Sequence, residues 1–133
     1  MFLEKEQIFS KIHLLISVVI VAPAAIIYGF SPDLFLDLQI NTIDEINILK
    51  AITGLYLAFS SIWLLALFKN SLIQVAQSSN MVFMLGLGLG RVLSFILDGV
   101  PSYALIYGAI GELLLGFYGI WLLFSYNTKK PIP

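Results

Sequence analysis

The chain has 133 residues, of which 59% are hydrophobic and 11% are charged, and its formal net charge is −1. Because soluble domains carry about 25% charged residues, this composition predicts an integral membrane protein. The absence of cysteine excludes disulfides, and a single histidine argues against a His-built metal site or a bis-histidine haem. No basic segment is present that would favour nucleic acid as a partner. We therefore expect no metal, no cofactor and no nucleic acid.

Four apolar blocks predict four membrane-spanning helices, because each approaches the roughly 20 residues that a helix needs to cross a bilayer. They cover residues 9–29, 46–68, 72–98 and 102–125 of one domain that occupies residues 1–133. Gln77 is predicted to lie at the level of the lipid headgroups. The predicted fold is an all-α, integral membrane four-helix bundle.

The first block is predicted to be a retained helix and not a cleaved signal peptide. Glu4 and Glu6 lie among the lysines that precede it, and Pro23 interrupts the small residues where a cleavage site would be expected. Proline inside a helix also predicts a kink. His13 is predicted to be an interfacial residue at the cytoplasmic end of this helix.

Capping signals mark the first loop and the start of the second helix. Ser31 followed by Pro32 predicts a short interfacial helix that runs through Leu38. Thr42 and Glu45 have the spacing of a capping box, which predicts the start of the second helix.

The distribution of charge predicts the orientation of the chain. Gly99 and Pro101 predict a tight turn, so the third and fourth helices form an antiparallel hairpin. With four spans, all lysines outside the helix interiors fall on one side, and the positive-inside rule places both termini in the cytoplasm. These lysines are Lys5, Lys11, Lys69, Lys129 and Lys130, whereas the loops of the other side carry Asp33, Asp37, Asp44, Glu45 and Asp98.

A polar cluster is predicted in the outer half of the bundle. Arg91, Ser94 and Asp98 are spaced to share one face of the third helix. Lys50 lies about one turn inside the second helix, and Glu112 lies roughly 15 Å from the start of the fourth helix. A permanent charge in an apolar span is costly unless it is paired, so these two cations and two anions are expected to neutralise one another.

Each charge also has a structural interpretation. Arg91 and Glu112 are either a structural pair that locks two helices together or a ligand- or ion-contacting pair. Lys50 either joins the cluster or extends to the interface and pairs with an acidic residue at the start of its helix. Asp98 either joins the cluster or caps its turn.

Small residues are predicted to mark the interior faces of the helices, because they let helix backbones approach closely in membranes. Gly86, Gly88 and Gly90 fit this interpretation better than a dinucleotide-binding loop, since no strand precedes them. The predicted interior faces are His13, Ser17, Ala24 and Tyr28; Asn47, Lys50, Gly54, Ala58 and Ser61; Gly86 and Gly90; and Ala104, Gly108, Gly111, Glu112 and Gly119. The residues proposed to line a site beside the cluster are Tyr28, Asn47, Tyr56 and Tyr107.

The sequence resembles an uncharacterised bacterial family of small four-helix membrane proteins, catalogued as a domain of unknown function. The resemblance rests on Gly-Arg-x-x-Ser-x-x-x-Asp-Gly-x-Pro-Ser at residues 90–102, the turn at residues 30–32, the segment at 50–56 and Glu112. The family usually has Arg where this chain has Lys50. The architecture is also loosely similar to DoxX-like proteins, by analogy alone. The resemblance implies a location in the bacterial inner membrane and no established activity.

Four functions compete at this stage. The first is a non-enzymatic binding or accessory protein that holds a lipid-like or small anionic ligand. The second is a proton- or ion-coupled transporter, which would need a homo-oligomer and would use Glu112 as its titrating group. An enzyme using Glu112 and Asp98 is disfavoured, because roughly 15 Å of depth separates them. The fourth is a stabilising subunit of a larger membrane complex. Membrane lipids are the expected partners.

Overall fold

Four long helices form the chain in this computed structural model, which describes residues 2–34, 36 and 38–127. They are α1 (Phe2–Phe30), α2 (Ile43–Phe68), α3 (Ile73–Leu97) and α4 (Tyr103–Asn127). Each is long and apolar enough to cross a membrane, and no strand occurs in the described residues. The prediction of an all-α four-helix membrane bundle is confirmed.

The first loop is less regular than predicted. Instead of a helix through Leu38, a single 3-10 turn spans Pro32–Leu34. Leu36, predicted to lie in the interface, is 8% exposed. Phe35 and Asp37 of this segment, and Lys129 and Lys130 after the fourth helix, lie outside the described residues.

The start of α2 is a capping box, as predicted. The backbone N–H of Glu45 donates to Thr42 Oγ1 at 3.2 Å, and the Thr42 N–H donates to Glu45 Oε2 at 2.8 Å. Asn41 N–H donates to the same carboxylate oxygen at 2.7 Å. These bonds satisfy backbone donors that a helix start leaves without an intrahelical partner.

Thr42→Ala is expected to destabilise the protein by about 1 kcal/mol, because the Glu45 N–H loses its acceptor. Reversible unfolding in mixed detergent micelles would measure the change. Thr42→Ser, which keeps the hydroxyl, is the matched control and should behave like the parent. Equal stabilities of the Ala and Ser variants would contradict this account of the cap.

Two antiparallel hairpins, α1–α2 and α3–α4, contain the closest helix packing. A Cβ atom added at Gly88 would lie 2.7 Å from Leu113 Cδ2, and one added at Gly116 would lie 2.6 Å from Leu85 Cδ2. Gly88 and Gly116 therefore each pack against a leucine of the facing helix. Gly99 ends α3 with a φ of 108°, a conformation that glycine adopts without strain.

The predicted interior face of α2 is wrong. Asn47, Gly54 and Ser61 are exposed, and the buried face of α2 instead consists of Thr53, Tyr56, Ser60, Trp63 and Ala66. The Tyr56 and Trp63 rings lie 5.0 and 5.2 Å from the Phe83 ring. Large rings make more packing contacts at a helix interface than small residues do, and this aromatic cluster determines which face of α2 points inward.

Gly86 and Gly90 also depart from the prediction of close packing. No atom lies within 4 Å of a Cβ added at either position. The close contact between α3 and α4 is made at Gly88, on a different face of the same helix. Small residues in this bundle therefore have two roles. Some allow a neighbouring helix to pack closely, and others leave an unfilled space beside the helix.

Candidate functional site

Arg91 and Glu112 form an ion pair between α3 and α4, as predicted. Arg91 Nε lies 2.8 Å from Glu112 Oε2 and 3.1 Å from Oε1. The two side chains are 20% and 14% exposed. The turn at residues 98–102 makes α3 and α4 antiparallel, which brings the two side chains to the same depth.

A third helix contributes to this site through Tyr28. Arg91 Nη2 donates to the Tyr28 hydroxyl at 3.2 Å. The Tyr28 ring lies 5.7 Å from the Tyr56 ring, with the two rings at 62° to one another. Residues from α1 and α4 thus hold the guanidinium group of Arg91 on α3, and the aromatic core of α2 and α3 lies directly behind them.

A cavity of about 290 Å³ opens beside the ion pair, and both Arg91 and Glu112 lie in its wall. The cavity is bounded by α1, α3 and α4, with Leu36 from the first loop and Tyr56 from α2 completing it. Apart from the ion pair and the tyrosines, its walls are apolar or glycine. They include Ala24, Ile27, Met84, Gly108, Gly111 and Leu115.

A second, more open cavity of about 430 Å³ lies on the other side of Arg91, between α2 and α3. It shares Arg91, Tyr28 and Tyr56 with the first cavity. Gly86 and Gly90 line it, which explains why no atom packs against them. Arg91 therefore lies where openings on two sides of the bundle meet.

Lys50 does not join the cluster, contrary to the prediction. Its Nζ donates to the Gly29 carbonyl and lies 3.6 Å from the centre of the Phe30 ring. It lines a separate cavity that does not include Arg91. The predicted pairing with an acidic residue of its own helix is also wrong, because the end of α1 offers a backbone acceptor and a π-face within reach.

Ser94 and Asp98 bond to each other and not to the ion pair. Ser94 Oγ donates to Asp98 Oδ2 at 2.8 Å, and both residues are exposed. Ser94 lines the second cavity, whereas Asp98 lines neither cavity. Among the predicted lining residues, Tyr107 borders the first cavity although it is 70% exposed, and Asn47 borders neither.

A buried polar layer lies below the first cavity. His13 is 0% exposed, so it lies on the predicted interior face of α1, whereas its prediction as an interfacial residue is wrong. Its Nε2 contacts the Leu115 carbonyl at 2.8 Å, and its Nδ1 contacts Gln77 Nε2 at 2.8 Å. A carbonyl can only accept, so Nε2 carries the proton and Nδ1 accepts from Gln77. Leu115 links the layer to the cavity, because its side chain lines the cavity.

The same layer extends to Ser17 and Asn80, whose polar atoms are 3.4 Å apart. Gln77 is 2% exposed instead of lying at the headgroup level as predicted. Gln77 and Asn80 are three residues apart in an apolar span, which places both on one helix face. That spacing is the signal that could have predicted a buried pair, just as the alignment of His13 with Ser17 predicted the interior face of α1.

The chain matches the family described as a domain of unknown function (DUF4345) over residues 9–123. The chain belongs to this family. The predicted resemblance to an uncharacterised family is thereby confirmed. No curated protein and no solved structure matches the DUF4345 chain. Within the part of the chain that the structure describes, no group of three or more His, Cys, Asp or Glu side chains could hold a metal ion.

Proposed function

We propose that this DUF4345 protein binds an amphipathic molecule in the membrane. The polar end of the ligand contacts Arg91, and its apolar part occupies the cavity between α1, α3 and α4. The proposal rests chiefly on the position of the Arg91–Glu112 pair in the wall of a cavity of about 290 Å³. This volume is close to the lower end of the roughly 300–1,000 Å³ of small-molecule sites.

The hydrogen-bonding capacity of Arg91 supports this proposal. A guanidinium group has five N–H donors, and the bonds to Glu112 and Tyr28 use Nε and Nη2. The Arg91 side chain also hydrogen-bonds to Tyr56, so these three contacts account for three of the five N–H groups. In surroundings of low dielectric, a hydrogen bond from a charged donor is stronger than in water.

We further propose that the site lies in the outer half of a bacterial inner membrane, with both termini in the cytoplasm. Lys5, Lys11 and Lys69 lie at one end of the bundle, whereas Asp33 and Asp98 lie at the end nearer Arg91. The positive-inside rule favours this orientation. Bilayer lipids are then an immediate source of amphipathic ligands. A homo-oligomer or a larger complex is compatible with the site.

Transport coupled to Glu112 is less well supported than binding. Both carboxylate oxygens of Glu112 lie within hydrogen-bond distance of Arg91 Nε. A titrating group in a transporter has to exchange its proton, whereas this carboxylate is held by a permanent cation.

The proposal is tested by photolabelling the purified protein in dodecyl maltoside micelles. The probes are trace amounts of hexadecan-1-ol and hexadecyl phosphate, each with a diazirine and an alkyne on the chain. We expect at least one probe to label peptides of α1, α3 or α4 that line the cavity. Gly108→Leu should reduce this labelling about tenfold, equivalent to about 1.4 kcal/mol, because its side chain would fill the cavity.

Gly54→Leu is the matched control. An added Cβ meets no atom within 4 Å at either Gly108 or Gly54, so both leucine variants can fold. Gly54 lies on the exposed face of α2 and lines neither cavity. Labelling that falls equally in both variants, or in neither, would refute binding in this cavity.

A further inference from the structure

We infer that the ligand has an uncharged, oxygen-bearing polar end, such as a hydroxyl or a carbonyl, attached to a single slender apolar chain. The inference rests on the proposed function and narrows the ligand class. It follows from the charge balance of the site, from the donors that face the cavity and from the position of the glycines in its wall.

The charge balance excludes a second anion. Glu112 already neutralises Arg91, and its oxygens lie 2.8 and 3.1 Å from Nε. A phosphate or carboxylate beside Arg91 would add a second negative charge next to Glu112, where the low dielectric magnifies like-charge repulsion. Lys50 supplies no compensating charge, because it bonds to Gly29 and lines a different cavity.

The available donors suit a neutral oxygen atom. The Tyr28 hydroxyl accepts from Arg91 Nη2, so its own proton remains available to another acceptor. The guanidinium group contributes an N–H group that its bonds to Glu112, Tyr28 and Tyr56 do not use. Tyr28 and Arg91 lie in the wall of the same cavity, and together they can donate to one carbonyl or hydroxyl oxygen.

The cavity wall favours a single chain that enters from the side of the bundle. The closest helix packing lies within the two hairpins, and α1 and α4 belong to different hairpins. Among the larger apolar side chains that α1 and α4 contribute, the wall includes four small residues, namely Ala24, Ala104, Gly108 and Gly111. An added Cβ would meet no atom within 4 Å at either glycine. A slender chain can pass between the helices there, whereas close-packed leucines would block it.

The experiment compares the hexadecan-1-ol and hexadecyl phosphate probes, which differ only at their polar ends. We expect the parent protein to be labelled at least about tenfold more by the alcohol, because the phosphate is repelled by Glu112. Glu112→Gln should lower or reverse this ratio, since Arg91 then lacks its counter-ion while the glutamine oxygen can still accept a hydrogen bond. Asp44→Asn removes an exposed carboxylate and should keep the parent ratio.

The outcomes separate this inference from the proposed function. Equal labelling by both probes in the parent, still sensitive to Gly108→Leu, would overturn the uncharged ligand and leave binding in the cavity intact. Stronger labelling by the phosphate probe would also overturn the uncharged ligand and leave binding in the cavity intact. Labelling that Gly108→Leu does not change would instead refute the proposed function. If Glu112→Gln fails to fold, the ratio measured on the parent protein still decides the inference.

Discussion

Replacing Arg91 with alanine should lower the free energy of unfolding by about 3–5 kcal/mol. The substitution leaves Glu112 as a carboxylate that is 14% exposed and has lost its counter-ion. It also removes the donor to the Tyr28 hydroxyl, so α1 loses one of its polar links to the α3–α4 hairpin. Reversible unfolding by dodecyl sulfate in mixed micelles would measure the change.

Two further variants show whether the loss comes from an unpaired charge. The double replacement Arg91→Leu with Glu112→Gln removes both charges and should recover most of the lost stability. We expect the same double variant to lose photolabelling by the alcohol probe, because the donors to the ligand are gone. Lys69→Ala removes an exposed cation and should change stability little. A double variant as unstable as Arg91→Ala would show that the unpaired charge is not the cause.

Gly88→Leu should destabilise the protein by about 1–3 kcal/mol through overpacking. An added Cβ would lie 2.7 Å from Leu113 Cδ2 and 3.3 Å from the Leu113 backbone nitrogen, so moving a side chain cannot fully relieve the contact. The α3–α4 hairpin would have to open, and the Arg91–Glu112 pair spans the same two helices. The same unfolding measurement applies.

Gly86→Leu is a closely matched control, two residues away on the same helix. No atom lies within 4 Å of a Cβ added there, so its stability should stay close to the parent value or rise slightly, since leucine favours helix more than glycine does. Similar losses of stability in both variants would mean that the close packing of α3 against α4 at Gly88 does not cause the loss. A loss confined to Gly88 would support two distinct roles for the glycines of α3.

The prediction of the ion pair succeeded because depth in the membrane can be counted along a helix. Each residue adds 1.5 Å of rise, and an intramembrane charge needs a partner at its own depth. Those two rules were enough to pair Arg91 with Glu112. They do not determine the rotation of α2 about its axis, so they could not show that Lys50 bonds to Gly29.

The positions predicted for His13 and Gln77 in the buried polar layer were wrong for a different reason. His13 and Gln77 lie near helix ends in the sequence, where polar side chains usually reach the interface. In the structure they bond to each other between packed helices and are 0% and 2% exposed. A residue near a helix end can be buried if the neighbouring helices extend past it. α1 begins at Phe2, earlier than the apolar block predicted, so His13 lies about three turns inside its helix.

Sequence alone determined the four membrane helices, their order and the depth of each charge. A bilayer requires every backbone polar group to bond internally, so a long apolar segment has little choice other than a helix. The sequence also indicated the inner face of α1 through His13 and Ser17, but only the tertiary structure decided which face of α2 is inside and where small residues leave space. Small residues can either admit a neighbour, as Gly88 does, or leave a cavity, as Gly108 does. The packing of large side chains on the facing helices separates these two cases, and no single helix contains that information.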